Sequence, residues 1–215
     1  MGKTGVAVAG VILVVLAVWA VVDETWKEPS VEDVLAAIGN QNSFCWRAEL
    51  ADNFTEEEIF ACVNYDNASA FWKRTSGNRT SLTKAFPGEE FYDLNWDVAL
   101  NSKGVEWNAL NFVEWVLRKG TVEGIERVGW DEYEIHASLR GAESYAVGTI
   151  ENGSRVEENY EIVAFFRVDG DGGLKGGRFT WRREVHYIDW DREEVTETRG
   201  SFEMLGPWEP ERMSQ

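Results

Sequence analysis

The chain has 215 residues, 44% of them hydrophobic, and a formal net charge of −17. That is enough apolar material for one domain with a sizeable core, and eleven Trp with eleven Phe exclude a disordered polymer, which is poor in aromatics. So acidic a chain repels phosphate backbones, which argues against a nucleic-acid partner.

Residues 5–22, GVAVAGVILVVLAVWAVV, form an unbroken apolar run between Lys3 and the pair Asp23, Glu24. At about 1.5 Å per residue the run reaches roughly 27 Å as a helix, enough to cross a bilayer core. Lys3 on the short side keeps the N-terminus inside and sends the bulk of the chain out. The expected organisation is an N-terminal membrane anchor or signal segment over 1–27, a sheet domain over 28–206 and a tail over 207–215. The rival reading of the first segment is a cleaved signal peptide ending at Ala20. Export has a second signal: N-x-S/T triplets at Asn53, Asn67, Asn78 and Asn152, candidate glycosylation sites for an extracellular face of the cell membrane.

A helix is expected after Ser30, which can cap it, with Glu32 and Asp33 in the first turn and Val34, Leu35 and Ile38 on the apolar side. Then alternation begins. SFCWRAEL puts Phe44, Trp46, Ala48 and Leu50 on one face, and EIFACVNYD puts Ile59, Ala61, Val63 and Tyr65 on one face. Pairing these two segments so that the apolar faces agree sets Cys45 opposite Cys62, within disulfide reach on the wet face. Such a bond persists in an exported protein. Further strands are expected at 69–75, 79–86 and 90–96.

VEWNALNFVEWVLRKG, 105–120, is helical, with Asn108, Asn111, Glu114 and Arg118 in one narrow polar stripe and apolar residues around the rest. Arg118, Lys119 and Gly120 read as its end. Strands follow near 122–128 and 130–139, with a weaker one at 143–150. A long hairpin comes next. It carries Tyr160, Ile162, Ala164, Phe166 and Val168 on one arm, the turn DGDGG, and Phe179, Trp181, Val185 and Tyr187 on the other. The last strand spans about 194–205.

One-sided alternation over so many segments means one sheet with a dry face and a wet face, and the dry face must be covered. The fold class is therefore α+β: a large antiparallel sheet covered by two helices, beside the N-terminal hydrophobic helix. The order of elements over 31–205 resembles the LolA/LppX-like exported lipid and lipoprotein carriers. The shared features are the opening helix before SFCWRAEL, the mid-chain helix between two strand groups and the late hairpin with its VDGDGGL turn. The resemblance implies a strongly curved, incomplete β-barrel whose helices close over an apolar cavity. This chain lacks the N-terminal cysteine of the lipidated members.

The function expected is non-catalytic, and no cofactor is called for. A lipid or acylated partner would lie between the sheet and the 105–119 helix, against Trp46, Leu110, Phe112, Val113, Leu117, Phe166 and Trp181. The alternative is a cell-surface interaction or polysaccharide-binding module with a filled core, since exposed Trp can stack on sugars. His136 and His186 lack the convergent partners of a zinc site. DGDGG at 169–173 lacks the later ligands of a calcium loop and reads as a turn. No G-x-S-x-G elbow, Gly-rich phosphate loop or nucleophilic Cys–His pair is present.

Overall fold

The computed structural model describes residues 28–91, 93–94, 108–148 and 153–208. The expected membrane segment at 5–22, residues 105–107 of the mid-chain helix and the sequon at Asn152 lie outside them. Among the described residues no helix is long and apolar enough to cross a membrane.

The first helix, α1 (Val31–Gly39), starts where the sequence places it. The Ser30 side chain accepts from the Asp33 backbone N–H, and the Asp33 carboxylate accepts from the Ser30 N–H at 2.9 Å, a reciprocal capping box. Its buried side chains are Val34 and Ile38. The strands are β1 (Ser43–Ala51), β2 (Glu56–Asn64), β3 (Ser69–Ser76), β4 (Arg79–Ala85), β5 (Thr121–Arg127), β6 (Tyr133–Val147), β7 (Ser154–Val168), β8 (Leu174–Tyr187) and β9 (Arg192–Gly206). They form one nine-stranded antiparallel sheet in the order β4-β3-β2-β1-β9-β8-β7-β6-β5. The sheet is open, with β4 and β5 at its two edges.

Between β4 and β5 comes α2 (Ala109–Lys119). Asn108 is not part of the expected polar stripe; it is the buried N-cap, its side chain accepting from the Asn111 N–H at 3.2 Å. Glu114 and Arg118 do form the outward stripe, 2.7 Å apart. Gly120 ends the helix in extended backbone, not the left-handed form. Its need for glycine is close approach: a Cβ there would lie 2.3 Å from the Ser138 carbonyl oxygen and 2.6 Å from that of Val116. At the other end of the sheet, Gly172 in the β7–β8 turn has φ +82° and passes under the backbone of Asp33, locking the turn against α1.

Three expectations are corrected. Residues 90, 91, 93 and 94 are not in a strand: the chain turns after β4, with Gly88 and Phe91 both at positive φ. The strands expected at 130–139 and 143–150 are one strand, β6, because its pairing with β7 runs unbroken from Tyr133↔Val168 to Val147↔Ser154. The tail does not leave the domain at 207: Trp208 is only 6% exposed, and its N–H donates to the Ser43 hydroxyl at 3.0 Å.

The main core lies between the helices and one face of the sheet and includes Phe44, Trp46, Trp72, Ile135, Ile162 and Phe166. A second, smaller cluster lies on the opposite face. There Cys45 and Cys62 form a disulfide, in the register expected, covered by Trp208 with Phe60, Phe71 and Phe86. The cysteines were placed on a wet face; the aromatic cover makes that part of the face dry.

Candidate functional site

The residues expected to line a ligand space under α2 do come together. Leu110, Phe112, Val113 and Leu117 are buried on the helix, and Trp46 and Phe166 are buried beneath it on the sheet. The Phe112 ring is 4.5 Å from that of Phe179, 6.2 Å from Phe166 and 6.4 Å from Trp181. Trp46, Val113 and Phe166 are 0% exposed, so no water-sized space touches them from either side. Trp181 is half-buried at the rim, where it meets Trp115 and Tyr160. The indole N–H groups of Trp46, Trp72 and Trp181 are buried without an acceptor. A buried donor left unpaired costs about 1–3 kcal/mol.

Strands β6 to β9 run on past the helices. Their register places Gly141, Tyr160, Arg183 and Thr196 in one row on the helix-bearing face, Glu143, Glu158, Val185 and Glu194 in the next, and Tyr145, Val156, Tyr187 and Arg192 in the last. The face is thus built of rings and charged groups on a paired-strand floor. A Cβ at Gly141 would meet the Tyr160 hydroxyl at 2.3 Å, so the Tyr160 ring lies across β6 where that side chain is missing. After β8 a single turn of 3-10 helix (Ile188–Trp190) brings the Trp190 ring over Tyr187, 5.4 Å between centroids and 16° between planes. Asp189 fixes that turn by accepting from the Arg155 N–H at 2.7 Å while its own N–H donates to Ser154 Oγ. Tyr145 and Trp190 remain 42% and 45% exposed.

The phenols on this face are held neutral. Partial burial raises Tyr145, and its hydroxyl donates to Glu158 at 2.8 Å, which together push it up to about 12. Tyr187 is raised by burial and by Glu194, and Tyr160 by burial and by Glu143 and Glu158. The Arg183 guanidinium lies 5.5 Å over the Trp181 ring and makes no ion pair among the described residues. It is close enough to the β1–β2 turn to act on Asp52. Desolvation alone would raise that carboxyl, but the N–H groups of Phe54 and Thr55, the Thr55 hydroxyl and Arg183 bring it below its ordinary value.

The opposite face is laced with charge pairs, among them Arg140–Glu161 and Arg178–Glu134. His136 is there, 3.2 Å from Glu134 and edge-on to Phe165. Two open grooves also lie along β1 and β9, one of about 490 Å³ around Arg47, Arg178 and Glu203 and one of about 1050 Å³ beside the exposed Phe54. Among the described residues no group of three or more His, Cys, Asp or Glu could hold a metal ion. DGDGG is a turn in which the Asp169 carboxylate accepts from the Gly173 N–H at 2.7 Å and pairs with Lys175. Asn53, Asn67 and Asn78 are all exposed in turns between strands.

Compared with known proteins, the chain matches no family model, no curated protein and no solved structure. What stands of the resemblance drawn from element order is a single open antiparallel sheet with two helices. The buried disulfide fits an oxidising, exported location.

Proposed function

We propose that this is an exported, non-catalytic recognition module, tethered through residues 5–22, that takes its partner on the open end of the helix-bearing face. The observation that carries the reading is the contrast along that face. Under α2 the aromatic side chains bury one another. Beyond α2 the same face leaves Tyr145 and Trp190 in water beside Arg183, which has no ion pair among the described residues. Exposed rings beside directed polar groups are the ordinary composition of a recognition surface. The test is retention of the full chain on envelope material from the source cells. Trp190→Ala and Tyr145→Ala should lose retention and keep the wild-type circular dichroism; unchanged retention in both variants sinks the reading.

A second reading keeps the ligand under α2, as in the LolA/LppX-like carriers. One observation favours it: the indole N–H of Trp181, whose ring packs near Phe112 of α2, is buried without an acceptor, and the ester carbonyl of a lipid or acylated partner would supply one. It requires α2 to lift from the sheet. An environment-sensitive acyl probe that brightens with wild type and not with a variant cross-linked from α2 to β7 would support it.

A further inference from the structure

We propose that the open end of the helix-bearing face binds a neutral polysaccharide, with Trp190 as the stacking ring and Glu158 and Arg183 as the groups that hold its hydroxyls. The inference rests on the reading that this face is the binding surface, and it names the chemistry of the occupant.

A pyranose chain presents two chemistries at once: flat C–H faces and a rim of hydroxyls that donate and accept. Trp190 matches the first. One face of its indole packs on Tyr187 at 16° between planes, which fixes the ring's orientation, and the residue is still 45% exposed. A ring already stacked and tied to a hydrogen-bonded turn loses little freedom on binding. The second chemistry is matched by alternating acceptors and donors. Glu158 and Glu194 each already accept from a tyrosine hydroxyl, at 2.8 and 3.3 Å, and Glu194 also pairs with Arg192, so both carboxylates are oriented and Glu158 keeps its second oxygen for a hydroxyl. Arg183 adds a planar donor fork from the neighbouring strand.

Charge decides among the other occupants. Glu143, Glu158, Glu194 and Asp52 outnumber Arg183 and Arg192 on and beside this face, so an anionic polymer or an anionic bilayer is repelled. An acyl chain is disfavoured too, because it would bury these carboxylates without hydrogen bonds. A neutral glycan offers hydroxyls to Glu158 and Arg183 and leaves the Arg192–Glu194 pair in place.

The test is affinity electrophoresis of the full chain in mild detergent, through gels containing a linear neutral glucan, mannan or galactan, with polygalacturonate as the anionic control. At least one neutral polymer should retard the protein and polygalacturonate should not. Trp190→Ala and Glu158→Gln should each weaken retardation about tenfold, while Trp190→Phe, which keeps a ring, should retain most of it. Circular dichroism of each variant checks the fold. Retardation by polygalacturonate alone, by no polymer, or equally in wild type and both variants overturns the glycan assignment. If no polymer retards the chain while Trp190→Ala still abolishes retention on envelope material, the glycan fails and the open-face reading survives. If that retention is also unchanged, both fail.

Discussion

Cys45 and Cys62 stand directly opposite each other in the β1–β2 ladder, Cα atoms 4.0 Å apart, and are joined. The bond closes a short loop that carries Asn53 and the exposed Phe54. Removing it as Cys45→Ser with Cys62→Ser should cost about 3 kcal/mol, the loop-closure value for this length. Thiol titration of the denatured, unreduced wild type should find no free thiol. Two titratable thiols would refute the pairing.

Trp208 is the lid of that disulfide. It packs 6.0 Å from Phe86 and closes the aromatic cluster above the sulfurs. Trp208→Ala should speed reduction of the bond by an external thiol and lower stability by about 3 kcal/mol, the cost of emptying a site this size. An unchanged reduction rate in a folded variant would show that the sulfurs are shielded by something else.

The register that makes the disulfide was legible because β1 and β2 each carry alternation strong enough to leave one pairing that keeps both apolar faces together. Trp208 was not legible: PWEPERMSQ has no periodicity, and only tertiary placement sets an isolated Trp on a disulfide. The same limit explains β6. GAES, 141–144, interrupts the apolar alternation and reads as a break, yet the ladder to β7 continues through it because sheet pairing is made by backbone, not side chains. The open end of the helix-bearing face begins there, which is why Tyr145, Glu158, Arg183 and Trp190 do not stand out in the sequence. The only signal for the three strand residues is period-2 spacing of polar and aromatic residues on strands whose other halves are apolar, and Trp190 sits in the turn after β8. Gly120 was legible as a helix end, but its physical reason, the close approach of Ser138, belongs to the folded sheet.

Tyr145 predicts a pH effect. Its phenol is raised from 10.0 to about 12 by burial and by its bond to Glu158. A group raised on folding adds stability that is fully present below its unfolded value and is lost as pH rises through the folded one. Stability should therefore fall between about pH 10 and pH 12, and Tyr145→Phe should flatten that part of the curve. The check is chemical denaturation at a series of alkaline pH values, with tyrosinate absorbance followed in wild type and variant in parallel. A wild-type curve that Tyr145→Phe does not alter would refute the assignment.

Phe112 and Leu117 decide what lies under α2. Phe112 packs against the rings of Phe166, Phe179 and Trp181, and Leu117 is buried further along the same helix, roughly 140° around its axis from Phe112. Truncating a side chain in a filled core removes its transfer energy and leaves a cavity that neighbours cannot fully close. Phe112→Ala should then cost about 3–5 kcal/mol and Leu117→Ala about 2–5 kcal/mol. The two sites share the helix and its packing, so the double variant should depart from additivity. An apolar probe should not bind wild type, whose core is filled, and should bind weakly to Phe112→Ala, where the new cavity is lined by rings. If each substitution instead costs less than about 1 kcal/mol and wild type binds an acyl probe that the variants lose, α2 is a mobile lid over a ligand. The Trp181 indole N–H would then have found its acceptor on that ligand.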